Sequence, residues 1–234
     1  MSNISDRVKE LRLKEADLVE NTANRVPICI VVDTSYSMNL MKRIDYVNRG
    51  LEKFIRDSAE DDYAADALDI AIVAFNSGKP KVIQPFENVK SIRLDELRAS
   101  GITVLGGAVN LAIESIKDRV SLYESAGITT FKPWLIIMSD GEGDPADKKN
   151  LNEAVIKVKR LLDSRRIKVM CVDMNGRNKN NDLRKFSADG KLESIDALQI
   201  EDFFSMLSRS AANLSTSTPE DDDDIGRLTL GRSK

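Results

Sequence analysis

Hydroxyl and carboxylate side chains follow two short apolar runs of this sequence, at positions where they could bind a metal ion. Residues 28–32 lead into Asp33, Ser35 and Ser37, and a second apolar run leads into Asp140. The two serines can aim both hydroxyls at one point in a turning segment, and the two aspartates add the charge that balances a divalent ion. All of these ligand atoms are oxygens, which Mg²⁺, Mn²⁺ and Ca²⁺ prefer. The pattern therefore predicts an oxygen-ligated divalent cation.

The composition excludes several other chemistries. The chain has 234 residues with no histidine and two cysteines, Cys29 and Cys171, which lie inside apolar runs. Ser-His-Asp and Cys-His triads and zinc sites with four Cys or His ligands are therefore excluded, and neither cysteine has the CxxC spacing of a redox pair. Basic residues number 35 and acidic residues 38, so the net charge is −3. We expect neither nucleic acid nor a membrane surface as a partner.

Each polar loop also has a purely structural interpretation. Serine and aspartate after a strand commonly form turns or cap helices. In that case the side chains satisfy backbone amides and no metal binds. A metal site is favoured only when several such loops occur together, which requires a fold that brings strand ends to one edge.

The predicted elements have that arrangement, because strands and helices alternate along the chain. Strands are predicted over residues 28–32, 68–75, 81–86, 135–138, 167–172 and 192–195, and helices over residues 44–55, 109–116, 151–162 and 200–212. This alternation implies an α/β fold with a doubly wound, mostly parallel sheet and helices on both faces. Turn residues 76–80 join the second and third strands as a hairpin, so we expect one antiparallel edge strand. In such a sheet, ligands bind beyond the carboxyl ends of the strands, near the point where strand order reverses.

Composition divides the chain into three parts. Residues 1–25 form an N-terminal extension with loosely helical apolar spacing, residues 26–212 form the α/β domain, and residues 213–234 form an acidic tail. The tail cannot bury enough apolar area to offset its ordering entropy, so we expect it to be disordered in isolation. A second interpretation is that its leucines anchor it on a partner. No stretch approaches the ~18 apolar residues of a membrane span, and the first residues lack a secretory signal, so we expect a cytoplasmic protein.

Three segments together resemble the von Willebrand factor A (VWA) domain family and its metal-ion-dependent adhesion site. They are VVDTSYSMN, SGITVLGGAV and PWLIIMSDGEGD, and the resemblance covers about residues 26–210. It implies a doubly wound fold around one divalent cation. In this family the sixth coordination position is filled by water or by an acidic side chain of a binding partner.

The resemblance also assigns roles to individual residues. Ser35 and Ser37 correspond to the direct hydroxyl ligands, and Thr103 to the threonine that binds the metal directly or through water. Asp33 and Asp140 correspond to the carboxylates that contact the ion or its waters. Mg²⁺ is the expected cofactor, with Mn²⁺ and Ca²⁺ as alternatives.

Within the family, the chain looks closest to the intracellular bacterial TerY-like branch of tellurite-resistance and stress-response systems. The similar features are Arg43-Ile44 before an Asn-x-Gly-Leu helix, Ala74-Phe75-Asn76 and Lys132-Pro133-Trp134. This likeness implies kinase-like or phosphatase-like partners from the same system. Tyr36 stands where the family usually has glycine, so we expect it to rim the site or restrict its ligands; Ser139 stands where threonine is common.

An aspartate-dependent phosphohydrolase or phosphotransfer domain is the alternative function, because such domains also place an aspartate after the first strand. Ser35 stands where a haloacid-dehalogenase-like phosphatase has a second aspartate, and Lys168 lies at the start of its strand rather than at its end. The loop from Gly101 to Gly107 lacks the lysine of a P-loop. We therefore expect a module that is not an enzyme and binds a partner's acidic residue through the cation.

The acidic tail suggests one further partner. Glu220 or one residue of the run Asp221 to Asp224 could fill the open metal position of a neighbouring molecule. The result would be a metal-bridged oligomer or a self-inhibited state. The simpler interpretation of the run is a solvated tail.

Overall fold

The computed structural model describes residues 21, 23–76, 79–141, 143–177 and 179–219. The strands are β1 (Val26–Asp33), β2 (Leu68–Phe75), β3 (Lys81–Asn88), β4 (Trp134–Ser139), β5 (Lys168–Asp173) and β6 (Glu193–Ser194). The helices are α1 (Arg43–Glu60), α2 (Ala64–Ala67), α3 (Leu105–Ala126), α4 (Lys148–Asp163), α5 (Asn181–Arg184) and α6 (Ile200–Ser215).

The strands form one sheet in the order β3-β2-β1-β4-β5-β6. β1 pairs in parallel with β2 and β4, β5 lies parallel between β4 and β6, and β3 is antiparallel to β2. The predicted doubly wound, mostly parallel sheet with one antiparallel edge is therefore confirmed. The strand order reverses between β1 and β4, which is where a sheet of this kind binds its ligands.

Both faces of the sheet are covered, which explains why its strands read as continuous apolar runs. In β1, Ile28, Ile30 and Val32 face a core shared with α1 and α6. Cys29 and Val31 face a second core shared with α3 and α4. The cysteines are thus packing residues, and burial raises the pKa of the Cys29 thiol to about 12.

Helices α1 and α6 lie side by side and run in the same direction. Arg49 near the start of α1 pairs with Glu201 near the start of α6, and Ser58 lies within 3.1 Å of Ser208 further along. The contact is close, because a Cβ atom at Gly50 would lie 2.2 Å from the ring of Phe204. The end of α6 therefore lies far from the edge of the sheet at which α1 begins.

A buried polar cluster occupies the opposite edge of the sheet. Asp69, at the start of β2, accepts hydrogen bonds from Arg119 at 2.6 Å and from the Tyr123 hydroxyl, and Arg25 Nη1 lies 3.5 Å from its other oxygen. Burial, followed by the nearby Asp69 charge, raises the pKa of Tyr123 well above its ordinary value. The protonated phenol and the two guanidiniums thus tie α3 to the starts of β1 and β2.

Several element boundaries differ from those predicted. The helix predicted over residues 109–116 extends over Leu105–Ala126, and the last helix ends at Ser215 rather than at residue 212. The predicted N-terminal helical extension falls almost wholly outside the described residues, as does the acidic run of the tail. The proposed division into three parts therefore stays a prediction. None of the helices described is both long and apolar enough to cross a membrane.

Candidate metal centre

The candidate site lies where β1 and β4 end next to each other. The two strands are parallel neighbours with Val32 opposite Met138, so Asp33 and Asp140 follow at the same edge of the sheet. Asp33 and Asp140 are both buried. The switch point of the sheet thus brings together two carboxylates that are far apart in sequence.

Hydrogen bonds connect four of the five predicted ligand residues. Asp33 accepts a bond from the Ser35 backbone amide at 2.8 Å. The Ser35 and Ser37 hydroxyl oxygens lie 3.0 Å apart, and Ser37 Oγ donates to Asp140 Oδ1 at 2.7 Å. Ser37 is partly exposed whereas the other three residues are buried. The oxygen cluster can therefore be reached from solvent beside Ser37.

Thr103, the fifth predicted ligand residue, is brought to the same edge by backbone contacts. The Tyr36 amide donates to the Gly101 carbonyl at 2.9 Å, and the Asp144 amide donates to the Thr103 carbonyl at 2.8 Å. Among the described contacts, the hydrogen-bonded cluster contains Asp33, Ser35, Ser37 and Asp140 but not the Thr103 side chain. The loop that carries Thr103 is nevertheless fixed to the loop that carries the serines.

The Asp33 carboxylate is buried and fully hydrogen-bonded. Its second oxygen accepts a bond from Ser139 Oγ at 2.6 Å. Burial raises its pKa to about 6, against the lowering effect of the bonds from Ser139 and Ser35, while the Asp140 charge raises it further. Positive charge nearby would stabilise the ionised form, which is the electrostatic setting of a cation site.

Arg43 also contacts this site, although no motif or spacing in the sequence indicates it. Arg43 Nη1 donates to Asp140 Oδ2 at 3.0 Å, and both side chains are almost completely buried. The two residues before Arg43, Met41 and Lys42, adopt left-handed backbone angles, with φ of 55° and 57°. Such angles cost non-glycine residues about 1–2 kcal/mol each. No pattern in the sequence indicates them.

Asp147 is a second residue whose role was missed. Its Oδ2 accepts bonds from the amides of Gly106 at 2.5 Å and Gly107 at 3.4 Å, at the start of α3. The chain's own carboxylate thus occupies the donors that a phosphate would need at this helix start. Asp147 comes about 40 residues later in the sequence, so only the tertiary fold reveals the cap.

Exposed apolar side chains lie in the two segments that carry the serines and Thr103. Tyr36, Leu40, Met41 and Ile102 are between 49% and 69% exposed. Tyr36 is the most exposed of the four, and its amide contact with Gly101 places it beside Ile102. We call these four residues the apolar rim. The expected role of Tyr36 at the rim of the site stays a prediction.

The donor atoms fit a hard divalent cation. The side chains on this edge offer hydroxyl and carboxylate oxygens, and no group of three or more acidic or cysteine side chains that could hold a metal ion occurs among the described residues. A cation here would depend on the hydroxyls of Ser35 and Ser37 together with Asp33 and Asp140. This all-oxygen set suits Mg²⁺, Mn²⁺ or Ca²⁺ and not a soft metal.

Comparisons with known proteins agree with this fold. The family model for the von Willebrand factor type A domain matches residues 28–211. No match was found among the curated proteins. The vWF domain of the type V pili tip protein Mfa5 from Porphyromonas gingivalis aligns with a TM-score of 0.61 at 12% identity, over 88% of this chain and 99% of that one.

Two other solved structures share the fold over part of their length. The pilus adhesin SpaC from Lactobacillus rhamnosus GG has a TM-score of 0.58 at 11% identity, over 81% of this chain and 31% of that one. Proximal thread matrix protein 1 from the mussel byssus has a TM-score of 0.53 at 12% identity, over 82% of this chain and 49% of that one. At these identities the likeness concerns the fold alone, and this chain spans less than half of either protein.

Domains of the matched family are typically metal-dependent adhesion or protein-interaction modules, and they are mainly not enzymes. The family model covers most of the chain, and the sheet order and the strand-end site agree with it. The chain therefore belongs to the von Willebrand factor type A domain family.

Proposed function

We propose that this chain is a metal-dependent protein-binding module whose cation takes a carboxylate from a partner protein. The observation that carries the proposal is the hydrogen-bonded oxygen cluster of Ser35, Ser37 and Asp140, which reaches solvent at the partly exposed Ser37. The residues that would hold the cation are Asp33, Ser35, Ser37, Thr103 and Asp140. When bound, the cation supplies a Lewis-acidic position for an anionic oxygen. The protein orients the ligands and leaves one side of the cluster open to solvent beside Ser37.

Mg²⁺ is the cation we propose, with Mn²⁺ and Ca²⁺ as alternatives. The hydroxyls of Ser35 and Ser37 are neutral, and Asp33 and Asp140 balance two positive charges. Calcium takes six to eight oxygen ligands, whereas magnesium prefers a compact octahedron that keeps several waters. A small cluster with hydroxyls 3.0 Å apart favours the smaller ion.

The apolar rim indicates what kind of carboxylate the site accepts. A partner that brings an aspartate or glutamate to the cation also covers Tyr36, Leu40, Met41 or Ile102. Burying apolar surface contributes roughly 25 cal/mol per Å². We therefore propose a partner segment in which an acidic residue is flanked by apolar residues, and neither nucleic acid nor a membrane as the ligand.

We propose that the module works in the bacterial cytoplasm, in a stress-response or tellurite-resistance type of system with kinase-like or phosphatase-like partners. The TerY-like segments around Arg43, Phe75 and Trp134 support this setting. The pilus proteins with a similar fold favour the alternative of a surface adhesin. Cell fractionation with an antibody against the chain separates the two settings.

The phosphohydrolase alternative has less support. Asp33 would be its nucleophile, but both oxygens of Asp33 accept hydrogen bonds within a buried setting. The amides at the start of α3 are occupied by Asp147. We propose a function without turnover, and a phosphate-release assay with Mg²⁺ and a generic phosphomonoester tests it directly.

The acidic tail is a candidate carboxylate donor to a second copy of this chain. Helix α6 has 16 residues, so it is about 24 Å long. It runs away from the edge of the sheet that carries the site. Asp221 follows Ser215 by six residues, which reach roughly 20 Å when fully extended. Asp221 therefore reaches the site of a neighbouring molecule more easily than its own.

A pull-down from cell lysate with the immobilised chain tests the proposed function. The expected result is a partner that binds with Mg²⁺ and is lost with a chelator or with the Ser35→Ala/Ser37→Ala variant. The Ser164→Ala/Ser205→Ala variant is a matched control, because the hydrogen bonds described for these two hydroxyls go to backbone carbonyls of the preceding helical turn. A partner retained in the presence of the chelator would contradict the metal-dependent module.

A further inference from the structure

We propose that Arg43 is a positioning residue that determines the ligand preference of the metal centre. It holds Asp140 Oδ2 away from the bound cation and makes the loaded centre one unit more positive, so that the open position favours an anionic ligand. The inference rests on the proposed function, because it requires a cation among the serines and aspartates.

The first observation concerns the two oxygens of Asp140. Oδ1 accepts a bond from Ser37 Oγ at 2.7 Å, and Oδ2 accepts one from Arg43 Nη1 at 3.0 Å. A cation that bound Asp140 with both oxygens would have to displace the guanidinium. Arg43 therefore restricts Asp140 to the single oxygen that faces Ser37.

The second observation concerns how firmly the guanidinium is held. Arg43 Nε donates to the Met174 carbonyl at 2.9 Å, and Nη2 lies 3.4 Å from Asn175 Oδ1. These contacts connect the start of α1 to the segment after β5. The Arg43 side chain is 8% exposed, so water screens its charge little.

The buried Arg43 guanidinium would have two opposite effects on a cation bound here. It repels a divalent ion, so it lowers the metal affinity of the centre. It also leaves the loaded centre more positive, so it raises the affinity for a partner's carboxylate. A residue that only oriented Asp140 would behave differently, because loss of such a partner typically lowers metal affinity about 10–100-fold.

The test compares Arg43→Gln with wild type in the full chain. Mn²⁺ affinity is measured by calorimetry, and acetate affinity of the Mn²⁺-loaded protein by water-proton relaxation. We expect Arg43→Gln to bind Mn²⁺ about tenfold more tightly and acetate about fivefold more weakly. Equal or weaker Mn²⁺ binding, or unchanged acetate binding, would overturn the role of Arg43.

Two further variants keep the test decisive. Arg49→Gln removes the same charge from the exposed face of the same helix, and we expect both affinities to stay within about twofold of wild type. Arg43→Lys keeps the positive charge, so it tests the proposal even if Arg43→Gln does not fold. We expect the Mn²⁺-loaded Arg43→Lys protein to keep its acetate binding, and loss of that binding would contradict the proposal. Wild-type protein that binds no Mn²⁺ would overturn the proposed function itself. If the wild type binds Mn²⁺ and acetate and Arg43→Gln binds both with the same affinities, only the inference about Arg43 is overturned.

Discussion

Ser37 Oγ donates a 2.7 Å hydrogen bond to Asp140 Oδ1, across 103 residues of sequence. The bond joins the loop after β1 to the loop after β4 at the point where strand order reverses. Ser37 is the partly exposed member of the cluster, so an incoming ligand reaches the buried carboxylate beside it. The geometry of this pair is the core of the proposed metal centre.

The proposed metal affinity depends on pH through Asp33. Its pKa is raised to about 6 by burial, so a proton and the cation compete for this carboxyl below that value. We expect Mn²⁺ affinity, measured by calorimetry, to fall about tenfold per pH unit below the pKa of this single group. Affinity that is constant between about pH 5 and about pH 7 would contradict the involvement of Asp33.

The raised pKa of Asp33 affects the stability of the metal-free protein in the opposite direction: acid weakens metal binding but stabilises the fold through this group. The folded state binds this proton more tightly than the unfolded chain, whose carboxyl has a pKa near 3.8. The contribution of Asp33 to the free energy of unfolding therefore increases as pH falls from about 6 toward 3.8. Asp33→Asn is the control, because it has no titrating carboxyl at this position. Its free energy of unfolding, measured with urea, should lack this increase at low pH.

The cluster around Asp69 is expected to support the fold and not the site. Asp69→Asn leaves the buried guanidiniums of Arg25 and Arg119 without their charged partner, so we expect the free energy of unfolding to fall by about 3–5 kcal/mol. Asp66→Asn, which removes an exposed pair with Lys90, should cost less than about 1 kcal/mol. Urea unfolding measures both. Equal costs for the two variants would show that burial of the cluster contributes nothing.

The acidic tail gives a prediction about oligomeric state. If a tail carboxylate binds the cation of a second molecule, the full chain should self-associate with Mn²⁺ and dissociate with a chelator. Truncation after Pro219 should abolish this association while Mn²⁺ affinity stays unchanged. Sedimentation velocity measures the assembly state, and identical behaviour of the full and truncated chains would contradict tail binding.

The fold could be predicted from sequence because its strands are buried on both faces. A continuous run such as Ile28 to Val32 has few alternatives to a central parallel strand, and the structure confirms that placement. The positions of Asp33 and Asp140 at one edge follow from the same topology. Whether these residues bind a metal stays a prediction, since local spacing alone also fits turns and caps.

The parts that sequence reasoning missed depend on tertiary contacts. Arg43 is buried and directly follows Met41 and Lys42, which adopt left-handed angles that non-glycine residues take in only a few per cent of cases. Asp147 caps α3 although it stands directly before α4, at the position from which an aspartate normally caps its own helix. A basic residue at a helix start is normally solvated, and an aspartate directly before a helix normally caps that helix, so the sequence neighbourhood indicates neither role.

The central claim is that Ser35 and Ser37 hold a divalent cation together with Asp33 and Asp140. Calorimetric titration of Mn²⁺ into the wild type, the Ser35→Ala/Ser37→Ala variant and the Ser164→Ala/Ser205→Ala control tests it most directly. We predict saturable binding to the wild type and the control, and none to the site variant, with thermal unfolding confirming that all three are folded. Unchanged Mn²⁺ affinity in the folded site variant would contradict the account.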